Sequence, residues 1–271
     1  MLDKDLIHQP QLWTMGLLIG KKNIEAVFFP PVDTDDIIYR RIPLDPVAPS
    51  PLKAVEDAIY DNPLLLNTYR SIFAEMDTDN FILLPDELGD TLAARAIGLA
   101  TGNTGASDNV VLQSSATDNI NLFFEAGAPL VGFLRRTFFN ITLTHPLAPL
   151  VAWCTERKIP EGELTACLRD NRLDLVATKG SQLLLANTFT FEAIADAAYY
   201  TLAVRLMLPF STSARIVTSG EPAIRSEFDR ILASASPSLP APVQHVLPHR
   251  LLQGGSAVTS APLPLILKSL Q

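Results

Sequence analysis

Long apolar runs are missing from this chain. No window approaches the ~18–20 residues that a membrane span needs, so no membrane segment is predicted. The opening MLDKDLIHQP carries acids and no apolar stretch, and reads as something other than a signal peptide. Cysteine is scarce: Cys154 and Cys167 are the only two. They fall in no metal-spaced pair and make no disulfide framework. They read as partly buried thiols in a reducing compartment, which predicts a cytoplasmic protein. Charge is also sparse, at 18% of residues with a net of −8. A surface of that sign repels phosphate backbones, which excludes nucleic acid as a general partner. No Lys/Arg run exceeds a pair such as Lys21-Lys22 or Arg135-Arg136.

Catalytic signatures are absent as well. There is no GxGxxG and no GxxxxGK[ST]. The glycine-bearing loops TGNTGASD (101–108) and QGGSAVTS (253–260) have no lysine to complete a phosphate loop. No GxSxG elbow occurs. The four histidines, His8, His145, His245 and His249, make no HExxH, and Pro248 keeps the last two off one helix face. No metal site is predicted.

What is present is apolar material, 48% of 271 residues, enough for one large domain or two ordinary ones. Prolines, 21 against 13 glycines, cluster at 30–31, 43–51, 146–149 and 237–248 and punctuate the chain. The stretch 163–220 is the best organised. It reads as three meandering strands with turns at Asp170-Asn171 and Lys179-Gly180, then one long helix, then a strand at 215–220.

The first half repeats this order loosely. Strands are predicted over 11–20, 23–29 and 36–44, and helices over 52–60 and 64–76. A short buried strand follows at 81–85, then a helix over 86–100 whose first turn holds Asp86 and Glu87, read as capping acids. Two strands fill 109–125. A helix over 128–139, a strand over 140–144 and a helix over 147–158 lead to IPEGE, read as a hinge. Aligning Lys21-Lys22-Asn23-Ile24 with Asp170-Asn171-Arg172-Leu173 gives an offset of 149 residues. On that alignment 81–85 matches 215–220, helix 86–97 matches helix 222–232, and NINLFFE matches VQHVLP (243–248). Pro222 suits a first helical turn. Tyr199, Tyr200, Leu202, Leu206 and Met207 read as the core face of their helix. The tail APLPLILKSLQ reads as a docked strand or helix, or as a segment that a partner takes up.

Three antiparallel strands followed by helix, strand, helix, strand make a mixed α/β sheet flanked by helices. That order resembles a ribonuclease-H-like domain. Two in tandem, 1–158 and 159–271, resemble the actin-like ATPases. The turn Arg169-Asp170-Asn171, the strand end Asn187-Thr188-Phe189 and the helical pair Tyr199-Tyr200 resemble, more closely, an uncharacterised bacterial family with an actin-like ATPase fold.

The resemblance implies an ATP and Mg²⁺ cleft between halves, with phosphates cradled by the first turn of each half. The residues depart from it. Leu18 stands where an acid is expected beside Gly20, Lys21 and Lys22. A leucine also rules out the carboxylate cluster of a ribonuclease-type nuclease. The second turn offers Asp170 but no glycine. The adenosine loop keeps Gly220, with Glu221 replacing a second glycine. Gly20, Lys21, Asp170, Gly220 and Glu221 therefore outline a vestigial nucleotide cleft, with no catalytic residue and no required cofactor. Two functions remain open: a non-catalytic interaction or scaffold protein that binds another protein, or an ATP-binding enzyme or assembly factor.

Overall fold

The computed structural model describes residues 7–31, 37–88, 108–244 and 260–271. The chain divides into two compact units, Met1–Ala148 with Leu270, and Pro149–Ser269 with Gln271.

In the first unit β1 (Thr14–Ile19), β2 (Asn23–Phe29) and β3 (Ile38–Pro43) form the meander. β1 begins later than predicted because Pro10–Leu12 is a 3-10 turn. Helix α1 (Pro51–Tyr60) follows, its first turn closed by the Ser50 hydroxyl, which accepts from the Lys53 amide at 3.1 Å. The predicted helix 64–76 does not form. Pro63–Leu66 is a 3-10 turn and Ser71–Met76 is strand β4. β4 lies parallel to β1 and is buried on both faces from Ile72 onward. A doubly buried strand loses its period of two, so its apolar run mimics a helix. With β8 (Thr142–Thr144) the sheet order is β3-β2-β1-β4-β8.

Between β4 and β8 lies a separate antiparallel sheet of β5 (Phe81–Pro85), β6 (Asn109–Thr117) and β7 (Ile120–Gly127), ordered β5-β7-β6. The strand predicted at 81–85 is present, but half-buried and outside the main sheet. Of the predicted helix 86–100, residues Asp86–Leu88 form a 3-10 turn, and the rest lies outside the described residues. So do residues 101–107, 253–259, His245 and His249. Helix α2 (Ala128–Thr137) follows β7. His145 is fully buried against Phe81 and Phe124, with ring centroids at 4.6 and 5.7 Å. Its Nδ1 accepts from the Leu147 amide and its Nε2 faces the Thr78 carbonyl at 3.1 Å.

Helix α3 (Leu147–Glu156) begins in the last two residues of the first unit and continues from Pro149 in the second. The second unit's sheet contains β9 (Ile159–Arg169), β10 (Arg172–Gly180), β11 (Gln182–Thr190), β12 (Arg215–Ser219) and β13 (Val243–Gln244), ordered β11-β10-β9-β12-β13. IPEGE is therefore no hinge but the start of β9. Gly162 within it has φ +94°, and a Cβ there would meet the Phe210 ring at 2.4 Å. The second hairpin turns at Gly180-Ser181, one residue later than predicted, since Lys179 pairs with Gln182 and Gly180 takes φ +60°. Helices α4 (Ile194–Met207) and α5 (Pro222–Ala235) flank β12, and α6 (Leu263–Lys268) forms a buried tail helix.

Helix α4 corrects another expectation. It buries Ala197, Ala198, Thr201, Val204 and Arg205, while Tyr199, Leu206 and Met207 are 68%, 76% and 83% exposed. Tyr200 and Leu202 pack against the core as expected, partly buried, whereas Tyr199, Leu206 and Met207 point away from the face that the small residues bring against the sheet.

The repeat is written in strand register. Leu18 of β1 lies opposite Glu25 of β2 and Glu75 of β4. Cys167 of β9 lies opposite Asp174 of β10 and Ser219 of β12. Leu18 and Cys167 stand 149 residues apart (18 to 167), as do Glu25 and Asp174 (25 to 174). The counterpart of β12 is β4, not 81–85, because each is the parallel neighbour of its unit's first strand. Likewise β8, not 119–125, corresponds to β13.

Phe228 of α5 is fully buried in the second unit's core with Leu164, Leu173 and Leu232. Phe228→Ala should lower unfolding free energy by about 3–5 kcal/mol, read from the urea midpoint at constant m-value.

Candidate functional site

The first turn of the first unit opens onto a pocket. Gly20 donates its amide to the Asn23 carbonyl at 3.0 Å, which leaves Lys21 and Lys22 at the hairpin tip. The parallel strands β1 and β4 end beside it at Ile19 and Met76, and both residues line a cavity of about 990 Å³. Open α/β sheets present ligands at such carboxyl ends. Apolar walls come from Leu44, Pro51, Leu52, Val55, Pro129 and Leu130. The polar lining includes Asp45, Asp77, Asp79 and Glu125 against Lys21 and Lys22.

The lining's chemistry is poor for polyphosphate. Four carboxylates outnumber two lysines. Lys21 pairs with Asp79 at 2.9 Å. That pair is exposed and contributes at most about 1 kcal/mol, so the pocket's sign rests on the acids. Glu125 accepts from Asn80 at 3.2 Å and Asn109 at 3.4 Å. Leu18, at the position of the expected acid, is 3% exposed and inside the sheet. Among the described residues no group of three or more His, Cys, Asp or Glu comes together in metal-holding geometry.

The second unit's turn is built differently. Asp170 is exposed and takes φ +46°, which lets two residues reverse the chain between Arg169 and Arg172. Arg169 turns inward. Its Nε and Nη2 donate to the two Asp174 oxygens at 2.6 and 3.0 Å, and the Thr188 hydroxyl donates to Asp174 at 2.7 Å. Gly220 has φ +141°, and a Cβ on it would meet the Leu168 carbonyl oxygen at 2.8 Å. This glycine is required by its neighbour's backbone. Glu221 is exposed and leads into α5, its carbonyl accepting from the Arg225 amide at 2.9 Å. Of the predicted site residues, Gly20 and Lys21 thus share the first unit's pocket, and Gly220 packs directly against β9 two residues before Asp170.

Residues 27–231 match the profile of a family described as "Protein of unknown function (DUF3822)". The chain belongs to this family. No curated protein matches it in sequence. Among solved structures it is similar to a protein of Bacteroides thetaiotaomicron VPI-5482, described as having an actin-like ATPase fold and unknown function. That match has a TM-score of 0.74 and 15% identity, and covers 93% of this chain and 98% of that one. It is also similar to a chain of the PilM-PilN type IV pilus biogenesis complex, at TM-score 0.53 and 14% identity, covering 97% and 100%. This DUF3822 member therefore has the actin-like ATPase fold.

The sequence reading missed the buried charges of this DUF3822 protein. Glu163, 1% exposed, receives Arg157 and Arg215, each at 2.8 Å. Arg157 also lies over the Trp153 ring at 4.4 Å. Glu25 and Glu75 flank Leu18 in the first sheet, and the Tyr39 hydroxyl donates to Glu25. The available signal was a carboxylate inside an apolar strand, as in NIEAVFF and RLDLVAT. Both cysteines are fully buried rather than partly so. Burial pushes the Cys154 thiol up to about 12, which removes it as a nucleophile.

Burial opposes ionisation of Asp174, but the charge and hydrogen bonds of Arg169, the Thr188 bond and the Arg172 charge outweigh it. The carboxyl sits below its ordinary value. A depressed folded pKa gives stability that is present above the unfolded value, about 3.9, and lost as pH falls through the folded one. Asp174→Asn should therefore cost about 3–5 kcal/mol at pH 7 by stranding a buried Arg169. The deficit relative to wild type should shrink below about pH 4, as read from urea midpoints across pH.

Proposed function

We propose that this protein is a non-catalytic interaction protein of the cytoplasm, a scaffold that binds another protein through a degenerate actin-like ATPase fold. The observation that carries this reading is Leu18, an apolar side chain buried in the first sheet where the resemblance implies a metal-organising acid. The acid-rich lining of the first unit's pocket and the inward-turned Arg169 support it. The PilM-PilN complex supports a protein partner by likeness of fold alone. One observation favours ATP binding instead: the roughly 990 Å³ pocket stands at the carboxyl ends of parallel strands beside Gly20, Lys21 and Lys22.

Thermal unfolding with ATP and Mg²⁺ at about 5 mM separates the two readings. A site with a dissociation constant near 50 µM would add about 2.7 kcal/mol and raise Tm by several degrees. No shift and no phosphate release are expected. A clear shift that disappears in Lys22→Glu, an exposed substitution that leaves the core intact, would overturn the interaction reading.

A further inference from the structure

Strand β11 ends the second unit's sheet, and one of its edges is unpaired among the described residues. Its nine residues, QLLLANTFT, hold no charge and no proline. Proteins ordinarily blunt an edge strand with such residues, because its bare amides and carbonyls invite another strand. The other outer strands of the two five-stranded sheets are protected in these ways. β3 carries Arg40, Arg41 and Pro43, while β8 and β13 span three and two residues. In β11 a register shift opposite Ala177 and Thr178 interrupts the first part and leaves Leu185–Thr190 regular.

An aromatic ladder adjoins this edge. Phe189 of β11 stacks on Tyr200 at 5.2 Å, and Tyr200 meets Tyr199 edge-on at 5.8 Å. Tyr199 faces out, with Leu206 and Met207 two turns further along α4. Tyrosine and methionine at such exposed positions are typical of interface centres.

We propose that β11 is a self-association edge, on which a second copy of this chain pairs its own β11 antiparallel about a two-fold axis. Charge selects this occupant. The end of β11 at Gln182 pairs with exposed Lys179 of β10, whose Nζ donates to the Pro209 carbonyl at 3.1 Å, while the other end, where Thr190 pairs with the buried Arg172, runs into exposed Glu192 beside the turn bearing Asp170. Antiparallel pairing over residues 185–190 brings the Gln182 end of one copy against the Glu192 end of the other. The basic end then meets the acidic end twice, as an isologous contact requires. The neutral centre opposes no like charges, although the chain as a whole is acidic.

The test is sedimentation equilibrium over about 1–100 µM, the range of weak biological dimers. The wild type should dimerise. Tyr199→Glu, at a 68% exposed position, should be monomeric with an unchanged urea midpoint. Lys179→Glu should weaken the dimer about tenfold, and adding Glu192→Lys should restore it. A wild type monomeric at 100 µM, a dimer indifferent to Tyr199→Glu, or a Lys179→Glu defect that Glu192→Lys does not rescue would each overturn the proposal. The assay contains no nucleotide, so its outcome is independent of the ATP titration.

Discussion

A carboxylate with no exposure to solvent governs the second unit. Asp174 sits in an apolar strand, and its charge is tolerated because Arg169 meets it bidentately, the Thr188 hydroxyl donates to it and the Arg172 charge lies near. Arg169 is the last residue of β9, so the pair fixes the side-chain direction where the chain reverses. A guanidinium committed to a buried partner cannot swing out to a phosphate without stranding that partner's charge. The same contact links the first two strands of this unit where the chain reverses.

The first unit meets the same constraint with different residues. Glu25 occupies the register position of Asp174, and it too receives a hydroxyl from the third strand, Tyr39 in place of Thr188. Both sheets are buried on two faces at this level, so a charged side chain there needs partners from neighbouring strands. Beside these carboxylates, the first strands carry Leu18 and Cys167, neither of which can organise a cation and water. The carboxylates at this level stand on neighbouring strands instead, Glu25 and Glu75 in the first sheet and Asp174 in the second.

Much of this was legible because local chemistry and tertiary position agreed. β2 was placed to the residue, since Asn23–Phe29 is bounded by a lysine turn and a proline pair. Helix α5 was announced by Pro222. The failures share a cause. β4 was read as a helix because burial on both faces erases alternation. That error then shifted the repeat, giving 81–85 the role that belongs to Ser71–Met76. Tyr199 was assigned to the core because apolar spacing locates a stripe without saying which stripe faces the sheet, and Ala197, Ala198 and Thr201 won by being small. Buried Glu163, Glu25 and Asp174 were visible only as single acids in apolar runs. Their partners Arg215, Tyr39 and Arg169 come from other strands or from across a turn, and sequence spacing does not join them.

The two glycines of the predicted cleft answer to different local constraints. Gly220 is required by the Leu168 carbonyl, which leaves no space for a Cβ at φ +141°. Removing that glycine would injure the sheet whether or not a nucleotide ever binds. Gly20 carries no comparable constraint, since its nearest added-Cβ contact, the Asn23 carbonyl oxygen at 3.1 Å, is with its own hairpin. Retention of Gly220 is therefore explained by packing and says nothing in favour of ATP. The informative positions are those where packing is indifferent. Glu221 is exposed and could be any polar residue, and it carries the charge least suited to a phosphate neighbour. The acids around the first unit's pocket are likewise partly exposed and have the same sign. Around that pocket the four acids outnumber the two exposed lysines, Lys21 and Lys22.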